Sequence, residues 1–541
     1  MAQTHYKTDV LIIGGGIAGI VTALELLNKG IECLILDRDS RERFGGLARD
    51  AFGGMALCGT PIQKMNGIKD SPELLLADWH AFAEFGEADH WPRKWAEMYA
   101  QRNNPDIYRW LQSQGVKFFP AVNWVERGEY VPGNSVPRYH IVWGTGWELT
   151  EVLIRRLKAH ANWKKLDLQF QHCVNELTTS GGTISGCSGI NEATGDAFEV
   201  QANSVVVATG GINGCLDKVR ANWPADWPPA PETILNGSHP YADGRLHDLA
   251  AEALSANITH LDKQWNYAAG IRHPKPRMPE HGLSLIPPKS ALWMDCRGKR
   301  IGPHPMVTGF DTTLLCHRVC EQERGYTWQV LNKKIARKEI SISGSEHNPS
   351  FRDKKAAKFL KEILLGNDEL YGYLTQQCED VVVANSLPEL VDKMNALTGE
   401  PLVNLEQMRA DIQAYDAQID RGPAFHDDDQ LRRIDHARRW KGDKVRTLKY
   451  QKILDPSAGP LVAMREFLIS RKSMGGLQTD DRSRVLNTTG SVIPNLYAVG
   501  EAAGFGGGGT SGKRSLEGTF LSGCVLSGRI AGRDLGGEAS P

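Results

Sequence analysis

An α/β fold built on a parallel sheet is what this 541-residue sequence predicts, on three observations. An apolar run, Val10-Leu11-Ile12-Ile13, feeds directly into Gly14-Gly15-Gly16-Ile17-Ala18-Gly19 and then into residues at helical spacing. A second apolar run, Cys33-Leu36, closes on Asp37 and completes a βαβ unit. Near the C-terminus, Ile493-Val499 reads as a buried strand ending in Gly500-Glu501, followed by a glycine-rich stretch and a helical run from Leu516 to Gly532.

The first strand is continuous in apolar residues, as a strand covered on both faces must be. Ile17, Ile20, Val21, Leu24 and Leu27 line one side of the helix that follows, and Asn28-Lys29-Gly30 ends it. In this context each glycine has a task. Gly14 makes the tight turn, Gly16 lets a pyrophosphate approach the backbone N–H groups that Ile17 and Ala18 begin, and Gly19 lets helix and strand pack closely. Asp37, 23 residues after Gly14, is placed to accept from a ribose 2′-OH, and Arg38 beside it belongs to the same nucleotide contact. Such a fingerprint serves FAD and NAD alike. Glycine makes up 56 of the 541 residues, about a tenth against the usual ~7%.

The chain length predicts two or three domains at roughly 150 residues each. Lys+Arg at 63 against Asp+Glu at 64 leaves a net charge of -1, which offers nucleic acid no electrostatic footprint. The N-terminal MAQTHYKTDV has neither the basic nor the long apolar segment of a signal peptide, and no membrane span is expected, so the protein is expected in the cytoplasm. Ten cysteines lie scattered without CxxC or a four-Cys cluster, so a haem attachment, an iron–sulfur centre and a structural zinc lack ligands. Cys316 and Cys320 lie one turn apart, read as two thiols on a helix, with a redox pair as the alternative.

From Leu496-Tyr497-Ala498-Val499-Gly500-Glu501 onward the sequence resembles the flavoproteins of the fumarate reductase and 3-ketosteroid dehydrogenase superfamily, as a side branch. The resemblance implies that Glu501 meets the flavin ribityl chain, with Gly500 at the turn, and that the helix start near Leu516 faces the flavin pyrimidine. Phe44-Gly45-Gly46-Leu47-Ala48-Arg49 with Gly53-Gly54 is similar to the family's second glycine-rich segment, which wraps the cofactor. Val205-Ala208-Thr209-Gly210-Gly211 marks a strand-turn under it, Val174 in His172-Cys173-Val174 meets the adenine, and Ala242-Asp243-Gly244 resembles a helix start. FAD is therefore the implied cofactor. It is expected to be noncovalent, because the attachment His of some members is missing between Phe44 and Met55. The implied fold is a Rossmann-like FAD-binding domain, residues 1–265 and 447–541, with an inserted α+β cap, residues 266–446.

Departures from the pattern bear on the substrate. Where fumarate reductases carry a His before Met-Gly-Gly and an Arg in their last motif, this sequence has Ser470-Arg471-Lys472-Ser473-Met474-Gly475-Gly476 and Ser515. The Tyr that ketosteroid dehydrogenases place in the final glycine-rich stretch is absent from Gly506-Ser511. Arg514 is the candidate for the positive charge that stabilises reduced flavin, with a role facing solvent or paired to Glu517 as the alternative. Tyr326, in Gly325-Tyr326-Thr327-Trp328, is the candidate for proton movement, with an aromatic core pair as the alternative, and His304 and His239 follow.

The expected activity is desaturation, or reduction, of a carbon–carbon bond beside a carbonyl in a moderately apolar ketone, cyclic ketones included. Electrons pass to or from an external acceptor or donor, since no second nucleotide fingerprint is present. Three alternatives stand beside this reading: reduction of a small unsaturated carboxylate, a non-redox hydratase or isomerase with structural FAD, and a noncatalytic electron-transfer subunit.

Overall fold

A computed structural model describes residues 3–538. The chain forms two compact units. One comprises the residues up to Pro224, Ser238–Trp265 and those from Arg471 onward; the other comprises Ala225–Gly237 and Asn266–Ser470. Residues 447–470 thus cluster with the inserted unit, because Leu461–Ser473 is a strand of its sheet.

The first unit carries the expected βαβ. Strand β1 (Gln3–Ile13), helix α1 (Ile17–Asn28) and strand β2 (Cys33–Leu36) follow one another as the apolar pattern requires. Strand β1 runs parallel to β2 on one side and to Ala197–Val207 on the other, pairing Ile12 with Ile35 and with Val206. Beyond these lie Leu166–Gln169, parallel to β2, and Val492–Ala498, parallel to Ala197–Val207. Leu11, Ile12, Val205 and Val206 are fully buried, as the unbroken apolar runs demand.

Helix α1 buries almost every side chain, and its partner is the C-terminal helix Thr519–Leu535. Small residues make that approach possible. A Cβ on Gly528 would lie 2.6 Å from the Ala18 carbonyl oxygen, and one on Gly532 would lie 2.6 Å from Glu25 Cβ. Thr22 Oγ1 donates to Ala18 O and Gly528 O, and Arg529 pairs with the buried Glu25 at 2.6 Å.

The second unit is built on a mixed sheet in which Tyr326–Asn332 lies antiparallel to Leu461–Ser473. The helical runs expected after Asp353 and Pro388 are present as Ala356–Leu365 and Leu387–Thr398. Cys316 and Cys320 are buried thiols on helix Thr312–Cys320, and none of the ten cysteines forms a disulfide. Among the described residues no helix is long and apolar enough to cross a membrane.

Candidate flavin site

The site residues of the first unit gather at the carboxyl edge of the parallel strands, where open α/β sheets place ligands. Gly14 holds φ at +111°, and a Cβ there would lie 2.4 Å from Ala208 O. Gly19 is constrained by packing, since its Cβ would lie 2.2 Å from Gly14 O. Gly16 differs from both. Its φ of −73° suits any residue, yet nothing lies within 4 Å of where its Cβ would be. No side chain caps α1, so the N–H groups of its first turn open onto that space.

The second glycine segment closes against the first. Gly45 N–H donates to Gly15 O at 3.1 Å, and a Cβ on Gly46 would lie 3.3 Å from Gly16 Cα. Ala48 is buried behind it. Gly53, at φ +91°, packs on the backbone of Thr145 and Gly146, and Gly54 lies flat beneath the Tyr139 ring.

At the end of β2, the Asp37 carboxylate accepts from Gly15 N–H and Asp39 N–H, each at 2.7 Å. Burial pushes its pKa up, against the pull of those two donors. Arg38 is gripped by Glu192 at 2.8 Å and Asp243 at 3.0 Å, and its guanidinium lies over the Tyr241 ring. It therefore anchors the Asp243 loop. Val174 is buried on His172–Ser180, and Gly210, at φ +81°, packs near Ala242.

Gly500, at φ +64°, lets its N–H donate to Ser527 Oγ at 2.9 Å. Glu501 follows, accepting from Ser473 N–H at 2.9 Å, and burial raises its pKa to about 7. Leu516 is 1% exposed ahead of the last helix.

Arg514 ion-pairs with Glu84 of the same unit, and burial lowers its pKa. Glu517 instead accepts from Trp265 Nε1 at 2.8 Å. Tyr326 lies in the second unit, 9% exposed, edge-on to Trp328 and near Phe467, with both ring centroids 6.0 Å away. Burial raises its phenol to about 12. His239 binds Asp39 at 3.0 Å, and His304 is about half exposed beside Asp429.

A cation that the sequence shows only as part of the stretch Ser470–Gly476 emerges here. The Lys472 ammonium lies 4.1 Å over the Phe520 ring, and burial lowers its pKa to about 8, partly offset by Glu517 and Glu501. The available signal was its position: a lysine one residue from the end of a thirteen-residue strand and just before Met474-Gly475-Gly476. Tyr139, stacked on Gly54, was missed, since a tyrosine opening a four-residue strand carries no marking pattern.

Open space at Gly16, uncapped helix amides, a carboxylate at the end of β2 and a half-buried acid after the Gly500 turn suit a dinucleotide with a flavin end. The known-protein comparisons agree. Residues 9–521 match the family model described as FAD binding domain. A KsdD-like steroid dehydrogenase of Mycobacterium tuberculosis is 39% identical over 544 aligned residues, covering 97% of this chain and 95% of that protein. A flavocytochrome c3 fumarate reductase in its open conformation has the same fold, with a TM-score of 0.67 at 19% identity, covering 98% of this chain and 78% of that one. A 3-ketosteroid-Δ4-(5α)-dehydrogenase from Rhodococcus jostii gives 0.63 at 19% identity, covering 98% and 97%. The chain belongs to the FAD-binding-domain family and is one of its FAD-dependent oxidoreductases.

Proposed function

We propose that this protein desaturates, or in reverse reduces, the carbon–carbon bond beside the carbonyl of a 3-ketosteroid or a ketone of similar size and polarity. The observation that carries this reading is the 39% identity, over nearly the full length of both chains, to a protein named as a steroid dehydrogenase.

Bound FAD supplies hydride acceptance or donation. The protein's own residues do the rest. With FAD bound, the α1 amides and Gly16 would hold the pyrophosphate, Asp37 would accept from the ribose, and Glu501 would accept from the ribityl chain. Gly14, Ile17, Ala18, Gly19, Gly45, Gly46, Ala48, Gly53, Gly54, Val174, Ala208, Gly210 and Leu516 shape the cradle, and Arg38 with Asp243 fixes its adenine-side loop. Binding is noncovalent: residues 44–55 contain no His, and Cys58 is buried with a thiol raised to about 11.

We assign to Lys472 the charge that stabilises reduced flavin, because its ammonium lies over the Phe520 ring within the field of Glu501 and Glu517. Tyr326, the candidate for proton movement, packs edge-on to Trp328 within the second unit with its phenol kept protonated by burial, and no proton step is assigned to it. Electrons go to or come from an external partner, and ten cysteines without a disulfide suit a reducing cytoplasm.

A dye-linked assay of the purified holoenzyme with 4-androstene-3,17-dione, its saturated analogue and, in the reductive direction, fumarate tests the proposal. Turnover of a steroid without turnover of fumarate is expected. Turnover of fumarate alone would replace the proposal with the carboxylate reading.

A further inference from the structure

We propose that a cavity of about 340 Å³ lying wholly within the inserted unit binds an organic anion, a carboxylate or phosphate on an apolar body. Its walls include Ile340, Phe359, Leu370 and Tyr373, which supply the apolar surface, and the cations Lys338 and Arg446. Two of the three acids that also line it are ion-paired with residues outside the lining, and the third takes a serine hydroxyl from within it. Glu346 pairs with Arg277 at 2.8 Å, Glu369 with Lys358 at 2.7 Å, and Glu362 accepts from Ser350 Oγ.

The two cations are held by neutral oxygens. Lys338 Nζ donates to the carbonyls of Ile363 and Leu364, at the end of helix Ala356–Leu365. Arg446 donates to Ser341 Oγ. Burial disfavours the charge on each, and each is near enough for Arg446 to lower Lys338 further. Glu339 and Asp443 face Arg446, but Glu339 accepts from Ser290 and Leu448 N–H, and Asp443 pairs with Lys289 at 3.1 Å. Two neighbouring half-buried cations, held by neutral oxygens, leave a positive site.

His273 is an independent pointer. It is 7% exposed, and its Nε2 is buried without a partner at this cavity. Its Nδ1 accepts from Lys275 N–H at 2.9 Å, so in the neutral ring Nε2 carries the hydrogen and donates. The nitrogen and oxygen atoms of His273, Glu346 and His347 lie within 4.8 Å of one another, as metal ligands would. That tautomer argues against a metal, since ligation through Nε2 would need the hydrogen on Nδ1 facing another N–H. A donor N–H lining the same cavity as two cations suits an oxyanion.

The test is calorimetric titration of the holoenzyme with 2-naphthoate and with neutral 2-naphthamide. Naphthoate should bind at least tenfold more tightly than the amide, leave the flavin absorption unchanged, and bind at least tenfold more weakly to Lys338→Met and to Arg446→Met. Flavin content and thermal midpoint report folding, and Lys338→Met decides if Arg446→Met fails to fold. Equal binding of both compounds, or naphthoate binding that perturbs the flavin and survives both substitutions, would overturn the proposal. So would saturable Zn2+ binding lost in both His273→Ala and His347→Ala.

Discussion

Gly16 and Gly19 sit three residues apart in one turn, yet their replacement should fail in opposite ways. An alanine at 19 brings its Cβ to 2.2 Å from Gly14 O and 3.1 Å from Ile12 Cγ2. Since real Cβ contacts fall essentially never below 3.0 Å, α1 must move almost 1 Å away from β1. Overpacking of that kind costs about 1–3 kcal/mol. Gly16→Ala meets nothing within 4 Å at a φ of −73°, so the apoprotein should keep its stability or gain about 0.4–1 kcal/mol through the unfolded chain. The added methyl, however, occupies the space in which phosphate must approach backbone N–H. A clash of about 1–3 kcal/mol there weakens FAD roughly 5- to 150-fold, and Gly16→Val should leave a colourless protein. Urea unfolding of the two apoproteins, with FAD titration by flavin fluorescence quenching, separates the effects. Wild-type FAD affinity in Gly16→Ala would refute the cradle, and wild-type stability in Gly19→Ala would refute the close helix–strand contact.

Arg138, buried between Asp70 at 2.9 Å and Asp78, is the other severe stability site. Arg138→Met strands two carboxylates and should cost about 3–5 kcal/mol in urea unfolding; a loss below 1 kcal/mol would show that water reaches them. Lys472 titrates near 8 in the folded apoprotein against 10.5 unfolded, so the unfolded chain binds more protons between those values and stability should rise with pH across that window. Lys472→Met should abolish the rise and, in the holoenzyme, lower the flavin midpoint potential, whereas Arg514→Ala should move it little; the reverse ranking returns the charge to Arg514. Glu501 acts oppositely, its pKa raised to about 7, so the stability it contributes is full below about 4.5 and lost as pH rises through 7. Glu501→Gln should flatten that decline in the apoprotein, and an unchanged slope would mean the carboxyl is solvated.

The βαβ unit was legible because its period and punctuation are local: four apolar residues, a glycine turn, a helical stripe, and a glycine after the last turn. Helix α1 and strand β2 begin and end where that pattern places them. The same pattern assigned Gly16 its role but not its reason, since only the fold distinguishes an open Cβ position from the strained φ of Gly14 and the crowded site of Gly19. Ion-pair partners were not legible. Arg514 finds Glu84, some 430 residues earlier, and Arg38 finds Glu192 and Asp243, contacts that no spacing rule encodes. Lys472 was visible as a charge, but whether a lysine at a strand end is solvated or lies over an aromatic ring depends on the Phe520 helix packed against it.

The central claim is that substrate alone reduces the bound flavin, with electron disposal a separate half-reaction. Stopped-flow mixing of oxidised holoenzyme with an excess of a saturated cyclic ketone under anaerobic conditions tests it directly, monitored at the visible flavin band. The account predicts bleaching of the whole flavin signal at a rate that saturates with ketone, before any acceptor is present, and recovery of the colour on adding a quinone or phenazine dye. A flavin that stays oxidised with every ketone but is bleached rapidly and saturably by NAD(P)H alone would contradict it.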